Sequence, residues 1–480
     1  MPHQPSNPNL QPDYWRSQVE SIFQAGVDAV DPARLVENAV IQDHLNDKET
    51  RGFVVVGAGK AGAAMAQGLA RGLAKLANHD PKDHSGPAKF PCRGLVLVPK
   101  GSECQLGDIE VRAVRPSASN LPTPAAHNGT LELLRIVQTK KPGERIIVLL
   151  SGGASALTPA PVDKITLEEK LETTKLLGQS GATINQLNGV RKHLSLFKGG
   201  GLLKAIGHHA DSPAVLTYIL SDVVGDPLDV IGSGPTVADE SCFADCIADC
   251  QKLGVWDRLP RAVRDHLAKG AQTPSLETLK STPYWAINRV LGSNRIALEA
   301  CAVRAKQLGM RVLNLGSFFE GDALSLANFH TDLIRGLLAD PNHFTPVDGN
   351  TLTASPLCLL SGGEATMRLC PNPGPGGRNQ AFALEMLLRL REKDSGKICL
   401  LSAGTDGEDG PTTAAGGWVD QQAKEKLTLW MKEHPAEAKI GLASQSSFTL
   451  LSHANALFSP GPSGTNVMDV RVGVLIPENL

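Results

Sequence analysis

Short apolar runs that end in glycine-rich turns recur along the chain. Residues 53–56 form a β-branched run, Gly57-Ala58-Gly59-Lys60 follows it, and residues 61–77 form an alanine-rich stretch of helical composition. A similar apolar run, followed by a turn of small or polar residues, occurs at residues 145–150, 215–220, 356–360 and 398–401. Continuous apolar runs are typical of strands buried on both faces, and strands that alternate with helices predict parallel sheets.

The pattern also indicates where the chain divides. Val19, Ile22, Phe23 and Val27 recur at helical spacing and predict an amphipathic helix over residues 15–29. Residues 270–284 are polar and contain prolines, which is typical of a junction between domains. The sequence therefore predicts an α/β protein with two Rossmann-like, doubly wound α/β domains, an N-terminal one at 1–280 and a C-terminal one at 281–480.

The position of the turns predicts a site. In an open parallel sheet, the turn that leaves each strand lies at the carboxyl edge, where ligands bind. We therefore expect a glycine-rich rim on each domain and a cleft between the two rims.

Composition excludes several classes of protein. Lys plus Arg number 47 against 49 for Asp plus Glu, so no net charge attracts nucleic acid or an anionic membrane, and aromatic residues, at 4%, are too few for base stacking. The sequence contains no uninterrupted stretch of 18 apolar residues, so it predicts no membrane span. The nine cysteines form no Cys-x-x-Cys pair, which predicts reduced thiols. Residues 1–14 show no targeting pattern, which, together with the reduced thiols, predicts a cytoplasmic protein.

The first glycine turn matches a dinucleotide-binding pattern. Residues 57–62 read G-x-G-x-x-G, but the next apolar run ends in Pro99-Lys100, where an NAD site needs an acidic residue. Lys60 lies instead at the start of a predicted helix, a position that suits a carboxylate or phosphate. A tight turn with an exposed lysine is the alternative interpretation.

Two further segments offer anion-binding groups. Ser151-Gly152-Gly153 follows a strand and forms either a second anion site or merely a packed turn. Arg191 and Lys198 are seven residues apart, so on one helix they would share a face. A solvated basic face is the alternative for that pair.

Carboxylates follow the third strand. Asp222 and Asp226 come directly after residues 215–220, and Gly232-Ser233-Gly234 follows. Carboxylates at a phosphate-binding rim can hold Mg²⁺ or accept a proton from an attacking hydroxyl. The alternative is an Asx turn or a helix cap, which explains many loop aspartates.

The C-terminal half repeats the theme. Gly377-Arg378-Asn379 opens a predicted helix, where an arginine suits the spread charge of a transferring phosphoryl group. Asp406 lies in an acidic turn after another strand, and Asn466 lies in a glycine-containing segment before a last strand at 470–476. Neither a P-loop sequence nor the protein-kinase motifs are present.

Taken together, these segments resemble the class II glycerate kinases, the glycerate 2-kinases with a C-terminal MOFRL domain. The most specific blocks are residues 56–61, 188–201, 220–236, 376–380, 404–413 and 464–469. The resemblance implies an enzyme that transfers the γ-phosphoryl group of ATP to D-glycerate and gives 2-phosphoglycerate with Mg²⁺ or another divalent cation. One departure is Thr123 in Asn120-Leu121-Pro122-Thr123-Pro124, where family members often carry an aspartate.

The resemblance also assigns candidate residues. As catalytic residues it implies Lys60, Arg378, Asp222 and Asp406, with Asp222 also the candidate metal ligand. As binding residues for substrate or nucleotide we add Gly57, Gly59, Ser151, Gly152, Gly153, Arg191, Lys198, Asp226, Gly232, Ser233, Gly234, Gly377, Asn379 and Asn466.

Two other functions remain open from the sequence. An NAD(P)H-dependent hydroxypyruvate reductase is favoured by residues 57–62 and opposed by Pro99-Lys100. A sugar-acid sensor without activity is opposed by carboxylates near cations, which favour catalysis. The expected partners are the small molecules D-glycerate and ATP. The sequence does not reveal the oligomeric state, for which a homodimer is the working hypothesis.

Overall fold

The computed structural model describes residues 12–43, 45, 50–77, 91–117, 119–207, 214–339 and 355–477. Most of the N-terminal segment on which the targeting argument rests lies outside them. The α-helices of the described residues are α1 Pro12–Ala29, α2 Pro32–Gln42, α3 Gly62–Ala77, α4 Pro124–Gln138, α5 Ala154–Leu157, α6 Leu167–Gln179, α7 Ile184–His193, α8 Gly201–Ile206, α9 Phe243–Lys252, α10 Arg261–Ala271, α11 Asn294–Gln307, α12 Ala323–Ala339, α13 Arg378–Arg389, α14 Glu392–Ser395, α15 Gln421–Glu433, α16 Pro435–Ala443 and α17 Ser447–His453.

The strands fall at the apolar runs of the sequence and at several shorter segments. They are β1 Gly52–Ala58, β2 Cys92–Pro99, β3 Cys104–Leu106, β4 Asp108–Arg115, β5 Glu144–Leu150, β6 Val215–Leu220, β7 Ala286–Gly292, β8 Arg311–Asn314, β9 Gly321–Asp322, β10 Leu357–Gly363, β11 Ala365–Thr366, β12 Ile398–Gly404, β13 Gly416–Val419, β14 Leu457–Phe458 and β15 Asp469–Leu475. None of the helices among the described residues has both the length and the apolar character needed to cross a membrane.

The chain packs as two compact units. One, here the N-terminal unit, is Pro32–Leu291; the other, the C-terminal unit, consists of Met1–Asp31 and Gly292–Leu480. By packing, the boundary therefore falls between Leu291 and Gly292, and α1 belongs with the C-terminal unit. The division into folding domains at residue 280 stays a prediction.

The N-terminal unit is built on a seven-stranded sheet of order β3-β4-β2-β1-β5-β6-β7. Strands β4, β2, β1, β5 and β6 pair in parallel, and β3 pairs antiparallel with β4. From β1 the chain proceeds outward to β2 and β4, then returns to place β5 and β6 on the other side of β1. The direction of winding therefore reverses between β1 and β5, the point in such sheets where ligands bind.

Helices cover both faces of this sheet. Val54, Val56 and Ala58 point into a core that contains side chains of α4 and α8. Alternate residues point to the opposite face, where Gly62 of α3 packs against Val96 and Val98. The doubly wound α/β class predicted for this half is confirmed.

Part of the N-terminal unit is a helical layer with its own core. Helices α6, α7, α9 and α10 share a cluster that includes Leu177, Val190, Cys246, Cys250 and Leu267. Burial raises the pKa of the Cys250 thiol to about 11, so that thiol is neutral at physiological pH.

The C-terminal unit contains a six-stranded sheet of order β14-β13-β12-β15-β10-β8. Its strands are mixed in direction: β8 and β10 are parallel, whereas β15 runs antiparallel to both β10 and β12. The prediction of a parallel sheet was wrong for this unit, because the last strand inserts between β10 and β12 and runs antiparallel to both. As a result Asp469, at the start of β15, pairs with both Gly363 and Gly404, the ends of its two neighbours.

This sheet is also covered on two faces. Ser361 accepts or donates a hydrogen bond with His330 of α12 at 2.8 Å, whereas the adjacent Gly362 lies against Asn294 of α11. Successive residues of a strand point to opposite faces, so α11 and α12 lie on opposite sides of β10. The second Rossmann-like α/β half is therefore confirmed, with a mixed sheet.

Candidate functional site

The turns after β1 and β5 are joined at the switch point of the N-terminal sheet. The backbone N–H of Lys60 donates to the carbonyl of Gly152 at 2.8 Å, and the N–H of Ala61 donates to the Ser151 hydroxyl at 3.0 Å. Ser151 is buried, so this hydroxyl fixes one turn against the other. The side chain of Lys60 is exposed and leaves this backbone arrangement at the edge of the sheet.

Glycine is required at three positions of these turns. Gly59 has φ +149° and a Cβ there would collide with Ser151, while a Cβ at Gly57 would lie 2.5 Å from the carbonyl oxygen of Leu149. Gly153 has φ +80°, a conformation that residues with a side chain rarely adopt. The candidate residues Gly57, Gly59 and Gly153 thus have a demonstrable backbone role.

Arg115, which sequence reasoning missed, points at the second turn. Its Nη2 would lie 3.1 Å from a Cβ at Gly153, and the Cγ of Lys60 would lie 3.6 Å from the same point. Arg115 is only 3% exposed, and its Nη1 donates to the carbonyls of Pro116 and Ser119. Its Nε and Nη2 have no hydrogen-bond partner among the described residues. Burial lowers the pKa of Arg115, as expected for a cation held away from water.

Asp222 lies at the same edge. A Cβ at Gly152 would be 2.6 Å from the Cγ of Asp222, so the carboxylate rests directly on the turn after β5. Asp226 closes a turn, with φ +54° and its N–H donating to the carbonyl of Val223 at 3.1 Å. The structure therefore brings Asp222 to the turn of residues 151–153. It shows no such contact for Asp226 among the described residues.

Ser155 links this turn to two glycine-rich segments. Its hydroxyl is 3.0 Å from that of Ser233, which has φ +64° between Gly232 at +59° and Gly234 at +63°. The N–H of Gly199 donates to the Ser233 carbonyl at 2.9 Å, and that of Gly200 to the Gly234 carbonyl at 2.7 Å. Three consecutive left-handed residues with a buried serine among them are strained backbone of the kind found at functional sites.

Arg191 and Lys198 also converge on Ser155. The Ser155 hydroxyl accepts from Arg191 Nη2 at 2.6 Å and from Lys198 Nζ at 2.8 Å. The prediction that both lie on one helix was wrong: α7 ends at His193, and Lys198 lies in the following turn before Gly199, whose φ of +55° is incompatible with a helix. Chain reversal, not helical spacing, brings the two cations together.

In the C-terminal unit, Arg378 begins α13 and is held by two carboxylates. Its Nε lies 3.0 Å from Asp469 Oδ2, and its Nη1 donates to Glu364 Oε1 at 2.9 Å. Burial by itself would lower the pKa of Arg378, but Asp469 and Glu364 raise it. The guanidinium remains one-third exposed, so it can still contact a ligand.

Asp409 caps the same helix and was missed from the sequence. Its two carboxylate oxygens accept from the backbone N–H groups of Asn379, at 3.1 Å, and Gln380, at 2.9 Å. The carboxylate also fills the space beside Gly377, where a Cβ would collide with it. Burial raises the pKa of Asp409 to about 6, although these hydrogen bonds oppose the shift.

Asn379 is a positioning residue in this structure. It is fully buried, its Nδ2 donates to Asp469 Oδ1 at 2.8 Å, and its Oδ1 accepts from Ser402 Oγ at 2.7 Å. Both ends of the amide are therefore used within the unit, where Asn379 holds Asp469; its role as a direct ligand stays a prediction.

Asp406 and Asn466 occupy backbone turns. Asp406 Oδ1 accepts from the N–H of Glu408 at 3.1 Å, and Asn466 Oδ1 accepts from the N–H of Met468 at 3.0 Å. Both contacts form Asx-type turns. Thr123 stands where the sequence departs from the family pattern, and it caps α4. Its hydroxyl accepts a hydrogen bond from the N–H of Ala126 at 3.1 Å.

The structure thus assembles two groups of predicted residues. Lys60, residues 151–153, Asp222, residues 232–234, Arg191 and Lys198 form a connected group in the N-terminal unit. Arg378, Asn379 and Gly377 form the second group, in the C-terminal unit. The predicted meeting of Lys60 and Arg378 across one cleft stays a prediction.

Known proteins share this arrangement of domains. Residues 18–268 match a family described as a domain of unknown function, DUF4147, and residues 357–469 match the MOFRL family. A mouse protein named glycerate kinase is 32% identical over 96% of this chain and 93% of its own length. A Pyrococcus horikoshii protein named glycerate 2-kinase is 32% identical over 94% of both chains. An Agrobacterium vitis protein with a provisional hydroxypyruvate reductase name is 33% identical over 95% of this chain and 93% of its own.

Solved structures match over nearly the whole chain. A crystal structure titled glycerate kinase, from Thermotoga maritima, has a TM-score of 0.80 and 27% identity, covering 97% of this chain and 100% of that one. A Pyrococcus horikoshii structure has a TM-score of 0.76 and 29% identity, covering 97% and 99%. With both domains matched and relatives of this similarity over most of its length, the chain belongs to the glycerate kinase family.

Proposed function

We propose that the protein transfers the γ-phosphoryl group of ATP to the 2-hydroxyl of D-glycerate, giving 2-phospho-D-glycerate and ADP. The observation that carries the proposal is the group of cations around the glycine turns of the N-terminal unit. Arg115 has two buried nitrogens without partners among the described residues, one of which, Nη2, lies beside Gly153, and Lys60 extends from the adjoining turn. Buried donors without partners are costly unless an anion completes them.

The residues can be given roles in this reaction. Lys60, Arg115 and the turn of residues 151–153 would bind and orient an anionic group at the switch point. Arg378, held in place by Asp469 and Glu364, would neutralise charge on the transferring phosphoryl group. Positioning and charge neutralisation are what phosphoryl transfer chiefly requires of a protein.

The bond changes require a proton acceptor. The 2-hydroxyl oxygen forms a bond to the γ-phosphorus, the bond from that phosphorus to the bridging oxygen of ADP breaks, and the hydroxyl proton leaves. Asp222 could accept that proton or bind metal, and the two roles are alternatives at this point. Asp406 is a weaker candidate, since its carboxylate already stabilises a turn.

The carboxylates present fit Mg²⁺ that arrives with a nucleotide. Among the described residues, no group of three or more His, Cys, Asp and Glu side chains could enclose a metal ion. Mg²⁺ at phosphate sites needs only one or two carboxylates, because phosphate oxygens and water complete its coordination. Asp222 would supply that carboxylate, and the ion would neutralise charge on the nucleotide phosphates.

Reduction of hydroxypyruvate with NAD(P)H is the second candidate function, favoured by the G-x-G-x-x-G turn of residues 57–62. The residue after β2, however, is Lys100, whereas an NAD ribose needs an acidic group there. Mixing the enzyme with hydroxypyruvate and NADH and following absorbance tests this function. NADH oxidation at a rate comparable to glycerate phosphorylation would favour the reductase.

The deciding experiment for the kinase is incubation with ATP, Mg²⁺ and D-glycerate, followed by phosphorus NMR of the products. The proposal expects ADP and the 2-phosphate isomer in equal amounts. The 3-phosphate isomer would overturn the position of transfer, and ATP hydrolysis without a glycerate phosphate would overturn the acceptor.

The location and assembly are part of the same proposal. We place the enzyme in the cytoplasm, which the nine free cysteines support because a reducing compartment keeps thiols unpaired. A homodimer stays the working hypothesis for its assembly, and sedimentation at several protein concentrations tests it.

A further inference from the structure

A cavity of about 610 Å³ lies in the N-terminal unit beside Ser155. Its lining includes the apolar side chains of Leu121, Pro122 and Leu171 and the cations Lys170, Arg191 and Lys198. A volume of this size suits a ligand much larger than a single small ion. The loop of residues 120–122, next to the position where the family aspartate is replaced by Thr123, therefore borders this cavity.

The three cations of the cavity have neutral partners. Lys170 Nζ donates to the Leu194 carbonyl at 2.9 Å, and Lys198 Nζ donates to the Ser155 carbonyl at 2.7 Å. Arg191 donates from Nη1 to Asn188 Oδ1 at 3.3 Å in addition to its bond with Ser155. Lys170 is 5% exposed and Lys198 1%, yet within the described ranges no carboxylate forms an ion pair with any of the three.

Lys192, the residue next to Arg191, shows that the fold can pair a buried lysine. Its Nζ lies 3.1 Å from Asp229 and 3.2 Å from Asp239, and its side chain is only 5% exposed. Buried charges in proteins are normally paired in this way, because an uncompensated charge is costly away from water. Among the described residues these three cations have no such partner, so an anionic ligand would compensate their charges.

We propose that this cavity binds a phosphoryl group, with Lys170, Arg191 and Lys198 as its ligands. The inference rests on the proposed kinase function for the identity of the phosphate carrier, which is either the nucleotide or the phosphorylated product. A phosphoryl dianion has several oxygens that can accept hydrogen bonds from separated donors. A single carboxylate cannot contact three cations in the same way. The apolar side chains of Leu121, Pro122 and Leu171 would contact the rest of the bound molecule.

The protonation of the empty cavity agrees with this assignment. Burial, together with the charge of Arg191, lowers the pKa of Lys170 to about 7. Burial and the charges of Arg191 and Lys170 lower the pKa of Lys198. A bound dianion would raise both pKa values, since an opposite charge favours the protonated amine. Binding at neutral pH is therefore accompanied by proton uptake.

Isothermal titration calorimetry of the full chain with variants tests the site. The probes are ATP, ADP, 2-phosphoglycerate, inorganic phosphate and D-glycerate, each titrated in two buffers of different ionisation enthalpy to count protons. Lys170→Met should weaken binding of the phosphate-bearing probes by about tenfold or more, as expected for a lost charge-assisted hydrogen bond. D-glycerate should bind as it does to the unchanged protein, and proton uptake should fall.

Three further variants serve as controls. Lys170→Arg keeps the charge and should restore much of the affinity, whereas Lys198→Met should repeat the loss if Lys170→Met folds poorly. Lys175→Met removes an exposed charge from the same helix and the rim of the cavity, and should change affinity less than twofold.

The outcomes separate the site from the function. A loss for ATP and ADP alone identifies the nucleotide as carrier, and a loss for 2-phosphoglycerate alone identifies the product; either supports the site. Unchanged phosphate binding in folded Lys170→Met and Lys198→Met, or an equal loss for D-glycerate, overturns it. If the unchanged protein phosphorylates glycerate, only the inference fails; if it binds phosphates through Lys170 but transfers none, only the proposed function fails.

Discussion

Asp469 holds the guanidinium of Arg378 with both of its oxygens, at 3.1 Å from Nε to Oδ1 and 3.0 Å to Oδ2. The carboxylate is fully buried between the ends of β10 and β12, and it also accepts from the N–H of Ala365 at 3.1 Å. Arg471, buried over the ring of Phe382, lies 3.8 Å from the same carboxylate. Asp469 therefore compensates two arginines and orients the one that is partly exposed.

Asp469→Asn should consequently lower both activity and stability. The free energy of unfolding should fall by about 3 kcal/mol, because the change removes the carboxylate that lies 3.8 Å from the buried Arg471. We expect kcat/KM for glycerate phosphorylation to fall by about tenfold or more, since Arg378 loses its fixed orientation. Denaturant unfolding and steady-state kinetics measure the two effects.

A double-mutant cycle distinguishes positioning from general destabilisation. If Asp469 acts through Arg378, then Asp469→Asn should have little further effect on activity in an Arg378→Ala background. Glu364→Gln is the matched control, because Glu364 contacts the same guanidinium but its side chain is 47% exposed. Additive losses in the cycle would contradict a role for Asp469 through Arg378.

Lys60→Ala should abolish most activity and preserve the fold. The contact of Lys60 with Gly152 is made by its backbone N–H, so the turn survives truncation of the exposed side chain. Loss of one electrostatic contact to the reacting group typically costs about 10²-fold or more in kcat. Circular dichroism and initial rates check both parts, with Lys100→Ala, an exposed lysine after the neighbouring strand β2, as control. Normal turnover by Lys60→Ala would remove this lysine from the mechanism.

The backbone turns of the site could be predicted from the sequence, because they depend on local signals. Gly57 and Gly153 follow apolar runs that had to be buried strands, and parallel strands place such turns at one edge. The structure confirms this for β1 and β5. It also confirms α1, whose face of Val19, Ile22 and Phe23 is buried.

The charged groups of the site could not be predicted in the same way. Lys170 lies in an amphipathic helix where a lysine usually faces water, and only the return of the chain at Leu194 buries it. Arg115 ends a strand that no motif marks. The role of Asp469 depends on insertion of β15 between two strands distant in sequence, which local patterns do not encode.

The packing of Gly152 gives a prediction about Asp222. Gly152→Ala would place a methyl group 2.6 Å from the Cγ of Asp222 and displace that carboxylate. A displacement of about 1 Å at a reacting group can cost about 10²-fold in rate, so kcat should fall by that order while the fold persists. Gly178→Ala is the control, because nothing lies within 4 Å of a Cβ at this position on α6. If Gly152→Ala is as active as Gly178→Ala, Asp222 needs no fixed position.

Binding of sulfate should weaken as the pH rises through the titration of Lys170. Sulfate keeps its double charge across this range, so any change in affinity comes from the protein. The pKa of Lys170, lowered to about 7 by burial, means that its ammonium is present below pH 7 and is lost above it. The affinity for sulfate should therefore fall by up to about tenfold per pH unit above about pH 7 and level off below it.

The other groups around the cavity define the controls for this profile. Among the described residues, the charged side chains that line the cavity beside Lys170 are Glu172, Lys175, Arg191 and Lys198. His127 interacts electrostatically with both Lys170 and Glu168. Burial lowers the pKa of His127, away from the pH range in question. Burial also lowers the pKa of Lys198, so Lys170→Met should reduce the slope and the double change with Lys198→Met should remove it. A slope that persists in the double variant would assign the pH dependence to groups outside the cavity.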